Sequence, residues 1–373
     1  MTYAAITGWG KCMPPAVLSN ADLAQLMDTE DEWIVSRTGI RERRISHVSG
    51  IEMAHVASAR ALACAGLDAK DVDLIVYGSC SNDEAVPNSA SGIQVRLGAK
   101  HAAAMDVNTA CTSFLYSLST ATAMIRTGVV RNAVVVGVEL ISKFMDWSNR
   151  NVGVLFGDGS AAVVVEATDR VEGLLGEKLG CYADVRQTLR VRGMGTAYTH
   201  RGVTFGDTLW DFDGPEIFKR AVVGMTQASQ EALRRTGHKV EDVDLVVPHQ
   251  ANLRIIESVA KYVGAPLDRV FLTVHRYGNM SSATVPVALV EALEEGRVQP
   301  GALLLMPAFG AGLTWCSHVV RWGERVTPLG TTDLDLPPCR ESALDIVRGL
   351  IASKQPADRS VAGLMSAKVA EEP

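Results

Sequence analysis

One stretch of the chain is repeated, and this repeat restricts the possible folds more than any other feature of the sequence. Residues 61–76 and 232–247 are identical at 8 of 16 positions, at an offset of 171. Each copy has the pattern of a helix, a glycine that ends it, an acidic turn and a buried strand. Gly128 and Gly296, each before a further strand, repeat at an offset of 168. The chain therefore contains two copies of one α/β unit.

Short apolar runs rich in Val and Ile alternate with Ala-rich, helix-like segments in both copies, which is typical of strands buried on both faces and covered by helices. We place the first copy at residues 1–170 and the second at 171–324. Residues 325–373 form a C-terminal extension, which begins with a proline-containing linker. An apolar stripe at helical spacing from Ala343 to Ile351 then predicts an amphipathic helix, packed on the body or docked to a partner.

Composition excludes several classes of function. The net charge of −6 argues against a global nucleic-acid-binding surface, and no apolar run is long enough to span a membrane. The seven cysteines include no Cys-x-x-Cys pair, which argues against a zinc site or a disulfide framework. The N-terminus does not have the pattern of a signal peptide. We expect a cytoplasmic protein without metal or cofactor.

Three strand ends carry residues that can do chemistry. Cys111 lies where a strand turns into a helix, whose N-terminal amides could stabilise a thiolate. His249 and Asn279 follow other predicted strands, where sites form in α/β proteins. Each residue alone is more often structural. The repeat relates Cys111 to Asn279 at offset 168 and Gly78 to His249 at offset 171, so a pseudo-twofold axis would bring all three together.

Longer motifs around these residues resemble the β-ketoacyl-ACP synthase III family of the thiolase-like superfamily, over about residues 3–322. The matching segments are Asp31–Arg43, Cys111, Phe156–Gly159, His249–Arg254, Gly278–Asn279 and Phe309–Trp315. The resemblance implies an α/β thiolase-like fold, in which two pseudo-twofold-related halves form a five-layered α-β-α-β-α body. It also implies a homodimer.

The activity that the resemblance implies is the decarboxylative Claisen condensation of an acyl-CoA primer with malonyl-ACP, which gives 3-oxoacyl-ACP, CoA and CO2 in fatty-acid biosynthesis. Cys111 would be the acyl-accepting nucleophile, and the amides of Cys111 and Ala311 would form the oxyanion hole. His249 and Asn279 would hold the malonyl thioester carbonyl and stabilise the enolate left by decarboxylation. Such donors are each worth ~10²–10³ in rate.

The resemblance further implies the residues that bind the substrates. They are Trp33 and Arg150 around the adenine, Arg37 near the phosphates, Gly214 and Asn252 along the pantetheine arm, and Phe309 in the substrate site. Lys219 and Arg254 would form a local basic patch that receives the acidic acyl carrier protein, despite the negative total charge.

One position bears on the primer. Acetyl-specific members of the family close the acyl pocket with a large aromatic that reaches across the dimer, just before a proline; here that residue is Val86. Loss of the ring opens room for several methylenes, each worth ~0.8 kcal/mol when buried. We therefore expect a medium-chain primer near octanoyl. Trp210 could shape the same pocket or block it.

Departures from the family pattern leave other functions open. Thr112 and Ser113 replace the usual Ala-Gly after the cysteine, and Met280 replaces a threonine after Asn279. The alternatives are a condensing enzyme for a quinolone or polyketide starter, an acyltransferase that does not decarboxylate malonate, and a non-catalytic paralogue. Whether ACP or CoA carries the malonyl group also stays open.

Overall fold

The computed structural model describes residues 2–198 and 208–353. The strands are β1 (Tyr3–Cys12), β2 (Ala16–Ser19), β3 (Glu42–Ile45), β4 (Leu74–Gly78), β5 (Ala103–Val107), β6 (Asn132–Leu140), β7 (Asp158–Thr168), β8 (Gly173–Cys181), β9 (Leu189–Arg192), β10 (Leu209–Phe212), β11 (Leu245–Val246), β12 (Leu303–Gly310) and β13 (Thr314–Arg321). The helices are α1 (Asn20–Leu23), α2 (Asp31–Thr38), α3 (Gly50–Ala65), α4 (Ser89–Leu97), α5 (Ser113–Arg126), α6 (Arg150–Gly153), α7 (Gly214–Thr236), α8 (Leu253–Val263), α9 (Val274–Tyr277), α10 (Thr284–Glu294) and α11 (Ala343–Ser353). The predicted strands and helices of both copies are present.

The main sheet has two parts that come from different segments of the chain. Within the described ranges, its strand order is β11-β12-β13-β8-β1-β7-β6-β4-β5. The two parts join where Ala4 in β1 pairs with Gly173 in β8. A Cβ at Gly173 would lie 1.7 Å from the Ala4 carbonyl oxygen, so the strands can approach this closely only at a glycine. The predicted boundary between residues 170 and 171 stays a prediction.

Alternating side chains divide the interior into layers. In β6, Ala133 and Val135 point into a central core, whereas Val134 and Val136 point into a first outer core. In β12, side chains alternate in the same way between the central core and a second outer core. This alternation follows from the two-residue period of a strand. Each half of the sheet therefore has one face on a shared core and one face on a core of its own.

Helices fill the spaces that this alternation defines. The helices α5 and α10 lie in the shared core, α3 packs on the outer face of β1, β6 and β7, and α7 packs on β8, β12 and β13. The layers are thus helix, sheet, helix, sheet, helix. The expected thiolase-like fold is confirmed.

The structure corrects one correspondence between the two halves. The short 3-10 turn Ala110–Thr112 precedes α5, and Ser281–Ala283 precedes α10, at an offset of 171. Cys111 therefore corresponds to Ser282, not to Asn279. The offset of 168 holds only at the ends of these helices, because α10 is three residues shorter than α5 (11 against 14 residues).

The described part of the C-terminal extension lies along the body. The backbone amide of Leu329 donates to the Cys64 carbonyl (3.0 Å), and α11 packs against β2 and β3. The predicted apolar stripe faces the body, with Ala343, Ile346 and Val347 buried. Residues 354–373 of the extension lie outside the described residues. No helix in the described ranges is long and apolar enough to cross a membrane.

Candidate active site

Cys111 sits in a strained turn between β5 and α5. Ala110, just before it, has a positive φ of 51°, which is uncommon for a residue with a side chain. The Ser113 hydroxyl donates to the Ala110 carbonyl (2.7 Å), and the hydroxyls of Thr112 and Thr314 lie 2.9 Å apart. The hydroxyls of Thr112 and Ser113 therefore hold the turn in place and tie it to the second half of the chain.

The Cys111 thiol is protonated in the free protein. Burial raises its pKa to about 12, although the Ser281 hydroxyl and the amides of Cys111 and Ala311 lower it through hydrogen bonds to the sulfur. The amides therefore favour the thiolate, as expected, but burial raises the pKa by more than they lower it. The two predicted oxyanion-hole amides do converge on this sulfur.

Gly310 keeps one of these amides accessible. A Cβ at this position would lie 2.8 Å from the Cys111 nitrogen. Any larger residue would therefore press on the amide that is predicted to bind the oxyanion.

His249 follows β11 and is buried. Its backbone amide donates to the Pro307 carbonyl (2.9 Å), and its Nδ1 lies 2.6 Å from the Thr284 hydroxyl. These contacts leave Nε2 as the ring nitrogen available to a substrate. Burial lowers the pKa of His249 to about 3, so the imidazole is neutral near pH 7.

Asn279 is oriented by its own turn. Its backbone amide donates to the Leu155 carbonyl (2.8 Å), and its Oδ1 accepts a hydrogen bond from the Ser281 amide (2.8 Å). Because the oxygen is occupied, the Nδ2 group remains as a hydrogen-bond donor. Met280, the departure beside it, is fully buried in the central core and not in the site.

One cavity of about 420 Å³ brings Cys111, His249 and Asn279 together. They reach it from three separate turns, and the first comes from the opposite half of the chain to the other two. Most of the remaining wall is apolar, including Leu155, Phe156, Leu189, Phe212, Ile217, Phe218, Ala221, Met225 and Ile255. The cavity thus combines an apolar channel with a thiol, a neutral imidazole and an amide donor.

The predicted coenzyme A residues lie along this cavity. Its lining includes four of them, Trp33, Arg37, Gly214 and Asn252, and also Phe309, the residue predicted for the substrate site. The fifth, Arg150, places its guanidinium 5.0 Å from the centre of the Trp33 ring, and that of Arg37 lies 4.5 Å from it. Stacked cations of this kind can hold an aromatic base and phosphates near one indole.

Comparison with known proteins fits this geometry. The family described as 3-oxoacyl-[acyl-carrier-protein] synthase III matches residues 105–183, and its C-terminal part matches 233–322. The chain is 51% identical over 345 residues to beta-ketoacyl-[acyl-carrier-protein] synthase III 2 of Vibrio cholerae, covering 92% of this chain and 95% of the relative. The chain belongs to the β-ketoacyl-ACP synthase III family. It is therefore a condensing enzyme of the acyltransferase type.

Further relatives agree. The synthase III of Roseiflexus castenholzii is 46% identical over 326 residues, covering 86% of this chain and 98% of that protein. The crystal structure of 3-oxoacyl-(acyl carrier protein) synthase III from Pseudomonas aeruginosa aligns with a TM-score of 0.81 at 36% identity, over 86% of this chain and 99% of that one.

Two predicted pocket residues of this synthase III lie away from the cavity lining. Val86 is 86% exposed on the surface of its own chain. Trp210 lies one side chain behind the wall, stacked 5.9 Å from Phe144 and packed 5.4 Å from Phe156, measured between ring centres. Trp210 therefore supports Phe156 and does not block the cavity itself.

The two predicted docking cations are exposed and adjoin lining residues of the cavity in the sequence. Lys219 is exposed on α7, next to the lining residue Phe218. Arg254 is exposed on α8 between the lining residues Asn252 and Ile255, and its guanidinium donates to the Ser36 carbonyl (2.9 Å).

Sequence reasoning missed a buried carboxylate near the Cys111 thiol. Glu139, at the end of β6, is fully buried and accepts hydrogen bonds from the Ser281 hydroxyl (3.0 Å) and the Ser81 hydroxyl (2.6 Å). The signal that could have found it is a lone glutamate that directly follows the apolar run Ala133–Val138, where burial requires a specific role.

Proposed function

We propose that this enzyme condenses a medium-chain acyl-CoA, near octanoyl, with malonyl-ACP through an acyl-Cys111 intermediate. The observation that carries the proposal is the single cavity lined by Cys111, His249 and Asn279, with the predicted coenzyme A residues along it.

Acylation comes first. The Cys111 sulfur attacks the thioester carbonyl of the acyl-CoA, and the amides of Cys111 and Ala311 donate to the oxygen that becomes negative. The C–S bond to coenzyme A then breaks, and the CoA sulfur takes up the proton that Cys111 loses. Trp33, Arg37 and Arg150 hold the nucleotide end during this step.

Decarboxylation and condensation follow. Nε2 of His249 and Nδ2 of Asn279 donate to the malonyl thioester oxygen, so CO2 leaves with its bonding electrons remaining on the enolate. The enolate carbon attacks the acyl group on Cys111, and the thiolate departs as 3-oxoacyl-ACP forms. A neutral imidazole suits this role when its Nε2 carries the proton, since it then donates a hydrogen bond without adding charge to the cavity. This tautomer requires the Thr284 hydroxyl to donate to Nδ1 of His249 (2.6 Å) and not to the Ser281 carbonyl (2.9 Å).

The apolar wall and the residue at position 86 support a medium-chain primer. Phe156, Phe212 and Met225 give the cavity an apolar lining. The resemblance implies that the residue at position 86 reaches across a dimer, so our proposal includes a homodimer. In this homodimer Val86 would leave the acyl pocket of the partner subunit open. Lys219 and Arg254 would attract the acidic carrier protein to the cavity mouth. We place the reaction in the cytoplasm.

A variant at position 86 tests the primer claim. We expect Val86→Phe to shift the preference for octanoyl- over acetyl-CoA at least about tenfold toward acetyl, because a ring removes room for methylenes worth ~0.8 kcal/mol each. The measurement is kcat/KM for acyl-CoA from C2 to C12, with Val95→Phe, another exposed valine, as the control. A Val86→Phe enzyme with an unchanged chain-length profile would contradict the claim.

The reaction itself is tested with octanoyl-CoA and malonyl-ACP. We expect 3-oxodecanoyl-ACP by mass spectrometry and one CO2 for each CoA released. CoA release without CO2 would indicate an acyltransferase and contradict the condensation. Malonyl-CoA in place of malonyl-ACP tests which carrier holds the malonyl group. Other nucleophilic acceptors test whether the enzyme serves a specialised pathway. Faster turnover with either would overturn the malonyl-ACP assignment.

A further inference from the structure

The C-terminal extension packs against the two strands from which the predicted nucleotide site is built. The strands β2 and β3 pair antiparallel, with Ala16 opposite Ile45. Residues 20–41 lie between these strands in the sequence and form an excursion that contains α1, a loop at 24–30 and α2. Helix α11 packs against both strands. The extension therefore contacts the place where this excursion starts and ends.

The apolar face of α11 is part of the core beneath the excursion. The helix buries Ala343, Ile346 and Val347. These side chains belong to one hydrophobic core with Leu18 in β2 and Ile45 in β3. Undocking of α11 would therefore expose apolar surface on the helix and on both strands, so the docked arrangement is the stable one.

Two polar contacts extend this attachment beyond the strands. The carbonyl of Pro337, in the linker before α11, lies 2.8 Å from Nε2 of His47, which follows β3. The guanidinium of Arg348 on α11 donates to Oε1 of Gln25 (3.2 Å). Because Gln25 belongs to the loop 24–30, α11 contacts the excursion at its base and also within it.

The loop 24–30 in turn holds Arg150. The Arg150 guanidinium donates to the Asp28 carbonyl (3.0 Å) and lies 3.5 Å from the Asp28 carboxylate. The Met27 side chain lies against α6, the helix that begins with Arg150. The guanidinium of Arg150 is at the same time 5.0 Å from the centre of the Trp33 ring. The loop thus determines where this cation lies relative to the indole.

Helix α2 itself has other supports. In its first turn the Asp31 carboxylate accepts a hydrogen bond from the Asn20 amide (2.8 Å), and in its last turn the Arg37 carbonyl accepts one from Asn252 (3.1 Å). The loop 24–30 lies before both of these supports in the sequence. We therefore assign the effect of α11 to the loop and to Arg150, and not to α2 as a whole.

We propose that α11 positions Arg150 for the nucleotide of coenzyme A, through Gln25 and the loop 24–30. When α11 is docked, the loop keeps the Asp28 carbonyl where it can hold the Arg150 guanidinium beside Trp33. Without this support the loop samples other arrangements, and the fraction of molecules that can clamp the adenine falls. Arg348, Gln25 and Asp28 are thus positioning residues that act through Arg150. This inference rests on the proposed coenzyme A site.

The test compares a ligand that has the nucleotide with a substrate that lacks it. The dissociation constant (Kd) of coenzyme A is measured by calorimetry on the full-length enzyme, and acylation by octanoyl-pantetheine is followed by intact mass. Val347→Asp puts a charge beneath α11, and we expect it to raise the Kd of coenzyme A about tenfold. Acylation by octanoyl-pantetheine should change by less than about twofold, because no nucleotide is involved.

A milder variant and a matched control accompany Val347→Asp. Arg348→Ala removes one exposed hydrogen bond and should raise the Kd of coenzyme A about two- to threefold, which also decides the proposal if Val347→Asp does not fold. The control is Arg340→Ala, because Arg340 is an exposed arginine of the same extension that lies before α11. It should leave the Kd unchanged.

A double variant tests whether the effect passes through Arg150. In an Arg150→Ala enzyme the clamp is already lost, so adding Val347→Asp should raise the Kd by less than about twofold. A full tenfold increase in that background would overturn the path through Arg150.

The remaining outcomes separate this inference from the proposed function. An unchanged Kd of coenzyme A in both Val347→Asp and Arg348→Ala would overturn the role of α11. Equal losses with coenzyme A and with octanoyl-pantetheine would also overturn it, since they would show a general structural effect. An unmodified enzyme that binds coenzyme A but is not acylated by octanoyl-pantetheine would contradict the primer or the acyl-enzyme, while the Kd values would still decide the role of α11.

Discussion

Each half of this enzyme contains the same corner, formed by a 3-10 turn and the strand ends beside it. The two corners have the same backbone but different side chains. In each half a residue with positive φ, Ala110 or Ser281, opens a 3-10 turn that leads into a central helix. The second residue of the turn is Cys111 in the first half and Ser282 in the second. The backbone is thus repeated, whereas the side chains that do chemistry are not.

The strand ends beside these turns differ in a complementary way. Ser282 donates to the carbonyl of Gly78, which ends β4. The residue related to Gly78 by the offset of 171 is His249, and the residue related to Ser282 is Cys111. At one corner the pseudo-twofold axis therefore pairs the Cys111 thiol with the His249 imidazole. At the other corner it pairs the Ser282 hydroxyl with Gly78, which has no side chain.

The pairs of backbone amides at the two corners differ most. At the first corner the amides of Cys111 and Ala311 face the sulfur, and Gly310 leaves the Cys111 amide uncovered. The equivalent amides at the second corner are those of Ser282 and Leu140. The Ser282 amide donates to Glu139 (3.4 Å) and the Leu140 amide to the Ser81 hydroxyl (2.8 Å), and Glu139 occupies the position equivalent to Gly310. One pair of amides is thus occupied by the side chains of Glu139 and Ser81, and the other pair is the one that we propose binds the oxyanion.

Making the two turns alike should have the largest effect. We expect Cys111→Ser to lower acylation and condensation at least about 1,000-fold, because a hydroxyl is a much weaker nucleophile than a thiol. The check is the steady-state rate with octanoyl-CoA and malonyl-ACP, with Ser282→Ala as the matched change in the other turn. A Cys111→Ser enzyme within tenfold of the unmodified rate would show that the thiol is not the acyl acceptor.

Making the strand ends alike should separate the two chemical steps. His249→Ala should still acylate within a few-fold of the unmodified rate but should condense ~10²–10³-fold more slowly, since it loses one donor to the enolate oxygen. Acyl-enzyme formation is read by mass and condensation by CO2 release. Equal losses in both steps would show that His249 acts in acylation as well.

Closing the open anion site should have a somewhat smaller effect. In Gly310→Ala the new Cβ would lie 2.8 Å from the Cys111 nitrogen, so the turn must shift and the oxyanion loses a well-placed donor. We expect acylation to slow about 100-fold. The melting temperature should fall by a few degrees, because overpacking of this kind costs about 1–3 kcal/mol. An unaltered acylation rate would mean that this amide does not bind the oxyanion.

The smallest expected effect concerns how the free energy of unfolding depends on pH, because the two halves contain different buried titratable groups. Burial lowers the pKa of both His249 and His318, in the second half, to about 3. The unfolded chain binds these protons near pH 6.5, so each histidine should lower the free energy of unfolding by up to about 2 kcal/mol between pH 6.5 and 5. Urea unfolding at both pH values checks this, and His318→Gln should weaken the dependence. If His318→Gln loses as much free energy of unfolding between pH 6.5 and 5 as the unmodified enzyme, His318 does not contribute to the pH dependence.

Glu139, in the first half, should act in the opposite direction. Its raised pKa means that the folded protein holds a proton that the unfolded chain releases above pH 4.5, so its contribution to stability falls as the pH rises to about 7.

Much of this architecture could be predicted from the sequence. The repeat at residues 61–76 and 232–247 and the buried apolar strands predicted two α/β halves, and motifs around Cys111, His249 and Asn279 predicted the family. The wrong correspondence of Cys111 with Asn279 arose because α10 is three residues shorter than α5, which no sequence offset alone reveals. The pKa of Cys111 and the burial of Glu139 depend on how the two halves pack, which local pattern does not encode.

The acyl-enzyme is the centre of this account, and intact mass measures it directly. The enzyme is incubated with acyl-CoA from C2 to C12, and the adduct is mapped by peptide analysis beside Cys111→Ala. We predict one acyl group on Cys111, most abundant near C8, and none in the variant. No adduct at any chain length, or an adduct that persists in Cys111→Ala, would contradict it.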